Sequence, residues 1–378
     1  MGERHRLGVV SAVPLAWTKM RVGLVIYGSL DTVSGGYLYD RRLVEALRRA
    51  GDEVEIISLP WRSYARHLTD NRSAELLRRM SGDYDVLLQD ELNHPSLAWA
   101  NGRLGWKRPP IVAIVHHLRT SERRAGRQNR IYRLIEGRYL RSVDAFIYNS
   151  HTTRREVEAL TGRSIPHVMA YPGGDRLLAF SHPRSAPRSE YGGPLRLLFV
   201  GNLIPRKGLH TLLEALRHVK SAWQLRVVGS PAVAPDYAGR VRWMAKRTGI
   251  AAGIEWLGVV GDADLAAEMA AADVLAVPSE YEGFGIVYLE GMAFGLPALA
   301  TTAGAAHEII ADGENGFLVA PGDVAVLAAR IELLAADRAL RAQLGATARA
   351  RFATHPSWEE TTATIRSFLL EIANREMA

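Results

Sequence analysis

Two glutamates, Glu282 and Glu290, stand eight residues apart in the run Pro278 to Pro297 of this 378-residue chain. The apolar stretch Val274 to Val277 leads into them and reads as a buried strand. A tight loop with Gly283 and Gly285 follows, then a helical run from Ile286 to about Phe294. Glu282 falls in the loop and Glu290 on the helix. The helical neighbours of Glu290, three and four residues away, are Ile286, Val287, Ala293 and Phe294. A carboxylate on so apolar a face is costly unless something hydrogen-bonds it. It either reaches water from the edge of the buried stripe, or it meets a ligand hydroxyl at the carboxyl end of a parallel strand, where open α/β sheets bind ligands.

Other chemistry-bearing residues recur at strand ends. Arg206 and Lys207 lie in Gly201-Asn-Leu-Ile-Pro-Arg-Lys-Gly208, between a strand and a helix. Adjacent Arg and Lys can clamp a diphosphate, one as a fork and one as a point charge; the plain reading is a solvated pair. Ser34-Gly35-Gly36 holds the matching place early in the chain, where paired glycines let backbone amides approach an anion or simply make a tight turn. It lacks the G-x-G-x-x-G dinucleotide pattern. His116 ends the strand that begins at Ile111, placed for substrate contact or for the core. A metal pair with His117 is disfavoured, because adjacent strand side chains point to opposite faces. Two D-x-D triplets, Asp83 to Asp85 and Asp262 to Asp264, precede a strand and start a helix, with Asp262 expected as an N-cap. Neither sits where a nucleotide-bound metal belongs, so no metal site is expected.

The elements that must position these residues alternate throughout, which predicts α/β domains with parallel sheets. The first half reads as strands 21–27, 53–59, 85–89, 111–116, 145–149 and 167–171, with helices 37–50, 71–80, 95–101, 121–141 and 152–160 between them. Residues 172–194 are rich in proline and glycine and read as a linker. The second half reads as strands 195–200, 224–228, 254–257, 274–277, 297–300 and 316–319, with helices 208–219, 236–248, 262–271, 285–294, 305–310 and 323–335, and a last helix from Trp358 to about Ile372. The expected organisation is therefore a leader at 1–19, domains at 20–175 and 195–355, a linker at 176–194, and a crossing helix in 356–378.

Composition narrows the function. Zero cysteines exclude disulfides and thiolate zinc sites, and fit a reducing cytoplasm. No apolar run approaches the roughly 18 residues of a membrane span. The N-terminal stretch to Lys19 loosely resembles a signal peptide, but Pro14 interrupts it and it has no cleavage site, so a disordered leader or an early start codon is expected. The net charge of +7 divides unevenly, +10 over residues 1–193 and −3 over the rest. Arginines 119, 123, 124, 127, 130, 133, 138 and 141 crowd one helix. Arg123, Arg127 and Arg130 stack at helical spacing, which suits an anionic lipid surface or a merely solvated face.

Taken together, these residues resemble retaining glycosyltransferase family 4, of the two-Rossmann GT-B architecture, over about Met20 to Ile372. The stretch Glu282-Gly-Phe-Gly-Ile-Val-Tyr-Leu-Glu290 is similar to that family's E-x7-E signature, and Phe199-Val-Gly-Asn-Leu with Arg206-Lys207-Gly208 is similar to its framing motif. The resemblance implies roles. Arg206 and Lys207 would bind the diphosphate of a nucleoside-diphosphate sugar, and Glu290 the ribose diol. Glu282 would approach the transferred sugar, helped by amides around Gly283, Phe284 and Gly285. His116 would contact the sugar, and Gly35 and Gly36 would pass close to the phosphates. Base contacts would fall near Gly229, Leu257 and Val259. The resemblance implies no cofactor, no metal and no nucleic acid; the acceptor would be a hydroxyl compound, free or lipid-linked, at the cytoplasmic membrane face or in the cytosol. One departure is Asn202, where many relatives carry Arg. A sugar phosphorylase, a nucleotide-sugar epimerase, or a basic membrane- or polyanion-binding protein are the competing readings.

Overall fold

The computed structural model describes residues 19–122, 126–180 and 193–375. The expected leader up to residue 18, Arg123 and Arg124 of the basic helix, and residues 181–192 of the linker lie outside them. Two six-stranded parallel sheets form. The first comprises β1 (Arg21–Tyr27), β2 (Glu53–Leu59), β3 (Val86–Asp90), β4 (Ile111–Val115), β5 (Ala145–Tyr148) and β6 (His167–Met169), in the order β2-β1-β3-β4-β5-β6. The second comprises β7 (Leu195–Val200), β8 (Trp223–Val228), β9 (Ile254–Gly258), β10 (Val274–Ala276), β11 (Ala298–Thr301) and β12 (Gly316–Val319), in the order β12-β11-β10-β7-β8-β9. Central strands such as Ile-Val-Ala-Ile-Val of β4 are apolar at every position because helices cover both faces of a parallel sheet. Strand order reverses between β1 and β3 and between β10 and β7. Each reversal splays the following loops apart and opens a crevice at the carboxyl ends of the strands.

Several elements differ from the sequence expectation. The helix expected at 71–80 starts later, at Ala74, because Ser73 caps it, its hydroxyl accepting from the amide of Leu76 (3.2 Å); a further helix, Tyr64–Asp70, was not expected. The helix expected at 95–101 shrinks to His94–Leu97 between two single 3₁₀ turns. The helix Arg338–Ala353 has no counterpart in the sequence reading. Its central buried residues are Leu344, Gly345 and Ala348, too small and sparse a stripe to show as periodicity. Residues 176–180 are not linker. They form the 3₁₀ segment Asp175–Phe180, whose Leu177 is buried in the core of the second domain.

The last helix, Trp358–Arg375, packs on the first domain through Ile365, Phe368 and Leu369. Arg366 forks onto Asp52 with bonds of 2.8 and 3.0 Å. The domains also touch directly across the crevice. Glu308 of the second domain accepts from the amides of His151 (2.9 Å) and Thr152 (2.7 Å). It thereby neutralises the positive N-terminus of the helix His151–Thr161. Asn202, the departure noted above, donates to the carbonyl of Val33 at 3.1 Å. This side chain thus ties the two domains together.

Candidate active site

The loops after β7 and β10 flank the switch point of the second sheet, and they carry Arg206, Lys207 and Glu282. The Lys207 ammonium lies 2.5 Å from Glu282 Oε1, and Arg206 Nη1 lies 3.8 Å from Oε2. Ser279 donates to the same carboxylate at 2.6 Å. Glu282 is 6% exposed. Burial by itself would raise its pKa, but the charges of Lys207 and Arg206 and two hydrogen bonds pull it down to about 2. Glu282 is therefore firmly ionised. Arg206 also donates to the Tyr281 carbonyl (2.9 Å) and lies 3.8 Å from Glu122 of the first domain.

The first domain supplies the opposite wall. Ser34 caps the helix Gly35–Arg49, accepting from the Tyr37 amide at 3.3 Å. Gly36 lies against the His116 ring, its Cβ position 3.0 Å from Cδ2, and Gly35 lies against Ile286 of the second domain at 3.6 Å. The strand β4 stops at Val115, one residue short of the expectation, so His116 stands in the loop beyond it. Its Nε2 donates to Asp40 Oδ1 at 3.1 Å. Burial would lower the pKa of His116; the charge and hydrogen bond of Asp40 overturn that and raise it to about 9. The group facing the crevice is thus an imidazolium.

Gly283 meets the first domain edge on. Its carbonyl accepts from the Ser150 hydroxyl at 2.9 Å, and a Cβ at this position would overlap the His116 carbonyl oxygen. The Phe284 ring is buried between Tyr171 and His355, so at this position it is the backbone that is left to meet a ligand. Gly285 caps the helix Ile286–Ala293. Gly229, just past β8, has φ +150°, and a Cβ there would overlap Gly201 O; the glycine lets the loops after β7 and β8 lie together. Leu257 is half-buried in β9, and Val259, just past it, is 57% exposed.

Glu290 is 3% exposed and is not at a wet edge. Its Oε1 accepts from Arg176 Nε at 2.8 Å. Burial raises its pKa, and Arg176 partly offsets that. Asp262 is not the expected N-cap, a place taken by Gly261; it instead pairs with Arg176 at 2.5 Å.

Sequence reasoning missed Asp40, Glu122 and Arg176, none of which stands in a motif, and passed over Ser279, which lies within the run Pro278 to Pro297. It also missed two buried groups of ligand-type side chains, Asp40 with Asp90 and His116, and Glu91 with His94 and Glu136. Both are engaged internally. Glu136, for one, accepts from the amides of Arg119 (2.6 Å) and Thr120 (3.2 Å) and from the Thr120 hydroxyl (2.5 Å).

Two parallel Rossmann-like sheets that face one another across such a cleft define the GT-B class of glycosyltransferases. The Glycosyltransferase Family 4 model matches residues 35–175, and that for Glycosyl transferases group 1 matches residues 184–351. A phosphatidyl-myo-inositol mannosyltransferase of Mycobacterium leprae is 30% identical, over 85% of this chain and 89% of its own. A D-inositol 3-phosphate glycosyltransferase of Xylanimonas cellulosilytica is 28% identical, over 79% and 75%. Among solved structures, a sucrose-phosphate synthase from Thermosynechococcus elongatus superposes with a TM-score of 0.78 at 20% identity, over 94% of this chain and 100% of that one. Anabaena Alr3699/HepE in complex with UDP and glucose gives 0.73 at 22%, over 93% and 100%. The chain belongs to glycosyltransferase family 4.

Proposed function

We propose that the protein transfers a sugar, with retention and without a metal, from a nucleoside-diphosphate sugar to an acceptor hydroxyl in glycolipid, polysaccharide or glycoconjugate assembly. The observation that carries this reading is the convergence of Arg206, Lys207 and Glu282 at one switch point, facing Gly35, Gly36 and His116 across the cleft. As the bond from the anomeric carbon to the phosphate breaks, negative charge grows on the departing diphosphate. Arg206, Lys207 and the helix N-terminus at Gly35 oppose it with fixed positive charge. The acceptor oxygen bonds to the anomeric carbon on the face the phosphate leaves, and its proton passes to the phosphate oxygen. Glu282 and the His116 imidazolium bond sugar hydroxyls; Glu290 takes the ribose, and the base lies near Gly229, Leu257 and Val259. The contacts of Gly283, Asn202 and Glu308 across the cleft close it and exclude water. The names of the inositol-directed relatives support a polyol or lipid-linked acceptor.

The test uses UDP-, GDP-, ADP- and dTDP-sugars with candidate acceptors. Release of nucleoside diphosphate must depend on acceptor, persist in chelator, and give a product of the donor's anomeric configuration. Loss in chelator with rescue by a divalent ion, or phosphate-dependent cleavage instead of transfer, would overturn the reading.

A peripheral contact with anionic membrane belongs to the same reading. The helix Gly126–Leu140 exposes Arg127, Arg130, Arg133 and Arg138 together with Ile131 (56% exposed) and Leu134 (74%). Tyr132, Ile135 and Leu140, which the sequence places among the arginines, instead face inward and are buried. Arg138 stacks on the exposed Trp99 at 5.3 Å. Cations interleaved with outward apolar groups suit an anionic headgroup layer. Among the described residues no helix is long and apolar enough to cross a membrane. Replacing Arg127, Arg130 and Leu134 together with Glu is expected to cut binding to phosphatidylserine vesicles at least tenfold and to leave donor affinity unchanged. Unchanged sedimentation with vesicles would make the helix a solvated face.

A further inference from the structure

We infer that Arg176 is a positioning residue for the nucleotide, holding Glu290 charged and aimed so that its carboxylate accepts from the vicinal hydroxyls of the donor's ribose. The inference rests on the nucleotide-sugar reading above. Arg176 lies on the segment that leaves the first domain, and it is 14% exposed. Its Nε bonds Glu290 on the helix Ile286–Ala293, and its Nη1 bonds Asp262, the first residue of the helix Asp262–Ala271. One planar guanidinium therefore spans the two helices that follow β9 and β10. The second bond, to Asp262, fixes the plane of the guanidinium and so the direction from which Nε meets Glu290 Oε1, which a flexible ammonium would not do.

Glu290 needs this partner. A carboxylate 3% exposed on an apolar helix face stays charged only if something bonds it. Among the described residues one hydrogen bond reaches it, from Arg176 to Oε1, and Oε2 and the second lone pair of Oε1 are left as acceptors. A second cation, Arg42 on the helix Gly35–Arg49 of the first domain, also lowers the pKa of Glu290 by its charge. Two adjacent acceptors on a carboxylate anchored at Oε1 match a cis-diol and would be partly wasted on a deoxyribose.

The experiment is calorimetric titration of the whole protein with UDP, GDP and ADP, with their 2′-deoxy counterparts, and with dTDP. The wild type is expected to bind the best ribonucleotide roughly ten- to a hundredfold more tightly than its deoxy analogue, the range of one hydrogen bond to a charged group. Arg176→Ala and Glu290→Gln are each expected to bring that ratio close to one, and Arg176→Lys is expected to retain an intermediate ratio. If Arg176→Ala does not fold, Asp262→Asn, which frees one end of the fork, is expected to reduce the ratio severalfold. An Arg176→Ala or Asp262→Asn protein that keeps the wild-type ratio would overturn the inference and leave Arg176 a structural tie. A wild type that binds none of the nucleotides would overturn the donor reading itself, and one that binds them without ribose preference would overturn the role of Glu290.

Discussion

Lys207→Met is expected to lower kcat/KM by about 10²- to 10³-fold, the usual cost of losing one preorganised charge that stabilises a leaving group. The loss should fall mainly on kcat, because the charge on the diphosphate is greatest as the glycosidic bond breaks. The same substitution carries a second consequence. Glu282 would be left buried without its closest partner, at a cost of a few kcal/mol. Its folded pKa of about 2 lies below the ordinary glutamate value of 4.5. The pair therefore adds stability that is present above pH 4.5 and lost as pH falls through 2. Lys207→Met should remove much of that contribution at neutral pH and lower Tm by several degrees. The double variant Lys207→Met with Glu282→Gln should regain the Tm and not the activity. Full turnover in Lys207→Met, or recovery of turnover in the double variant, would remove Lys207 from the chemistry.

Gly283→Ala is expected to reduce kcat/KM by about 10²-fold with Tm changed by no more than a few degrees. The added Cβ overlaps the His116 carbonyl of the opposite domain rather than a neighbour within its own. Each sheet carries its own apolar core, one through Leu198, Phe199 and Tyr288, the other through Leu24, Ile114 and Leu369. Neither core needs to yield; the cleft opens instead. Misplacing the His116 wall by an ångström against the loop of Glu282 costs catalysis steeply. Small-angle scattering should show a slightly larger particle. Wild-type turnover in this variant would mean that the closed arrangement is not the reacting one.

The two-domain α/β class was legible because parallel strands buried on both faces write continuous apolar runs, and because glycines and prolines punctuate them. The helix Asp262–Ala271 and the strand Gly316–Val319 match their expected bounds. The helix Arg338–Ala353 was not legible, since alanine and a buried glycine write no stripe; its Gly345 lies close against the carbonyl of Gly295. The start of the helix Ala74–Met80 turned on the Ser73 cap, which a window of apolar residues does not register. His116 slipped past its strand end because β4 needs only the five residues that pair with β3 and β5.

The sequence by itself determined which residue types stand at strand ends. The pairs Glu282 with Glu290 and Arg206 with Lys207, the glycines at 35 and 36, and His116 are all local features, readable from spacing along one strand and one loop. Only the tertiary structure decided what each of them meets. Glu282 gains Lys207 because β10 and β7 are neighbours across a strand-order reversal. His116 gains Asp40 from a helix 76 residues earlier. Glu290 gains Arg176 from a stretch whose prolines and glycines look like a plain linker. Long-range partners of this kind leave no periodicity in a chain. They are fixed by the sheet order and by the burial that makes an unpaired charge too costly to keep.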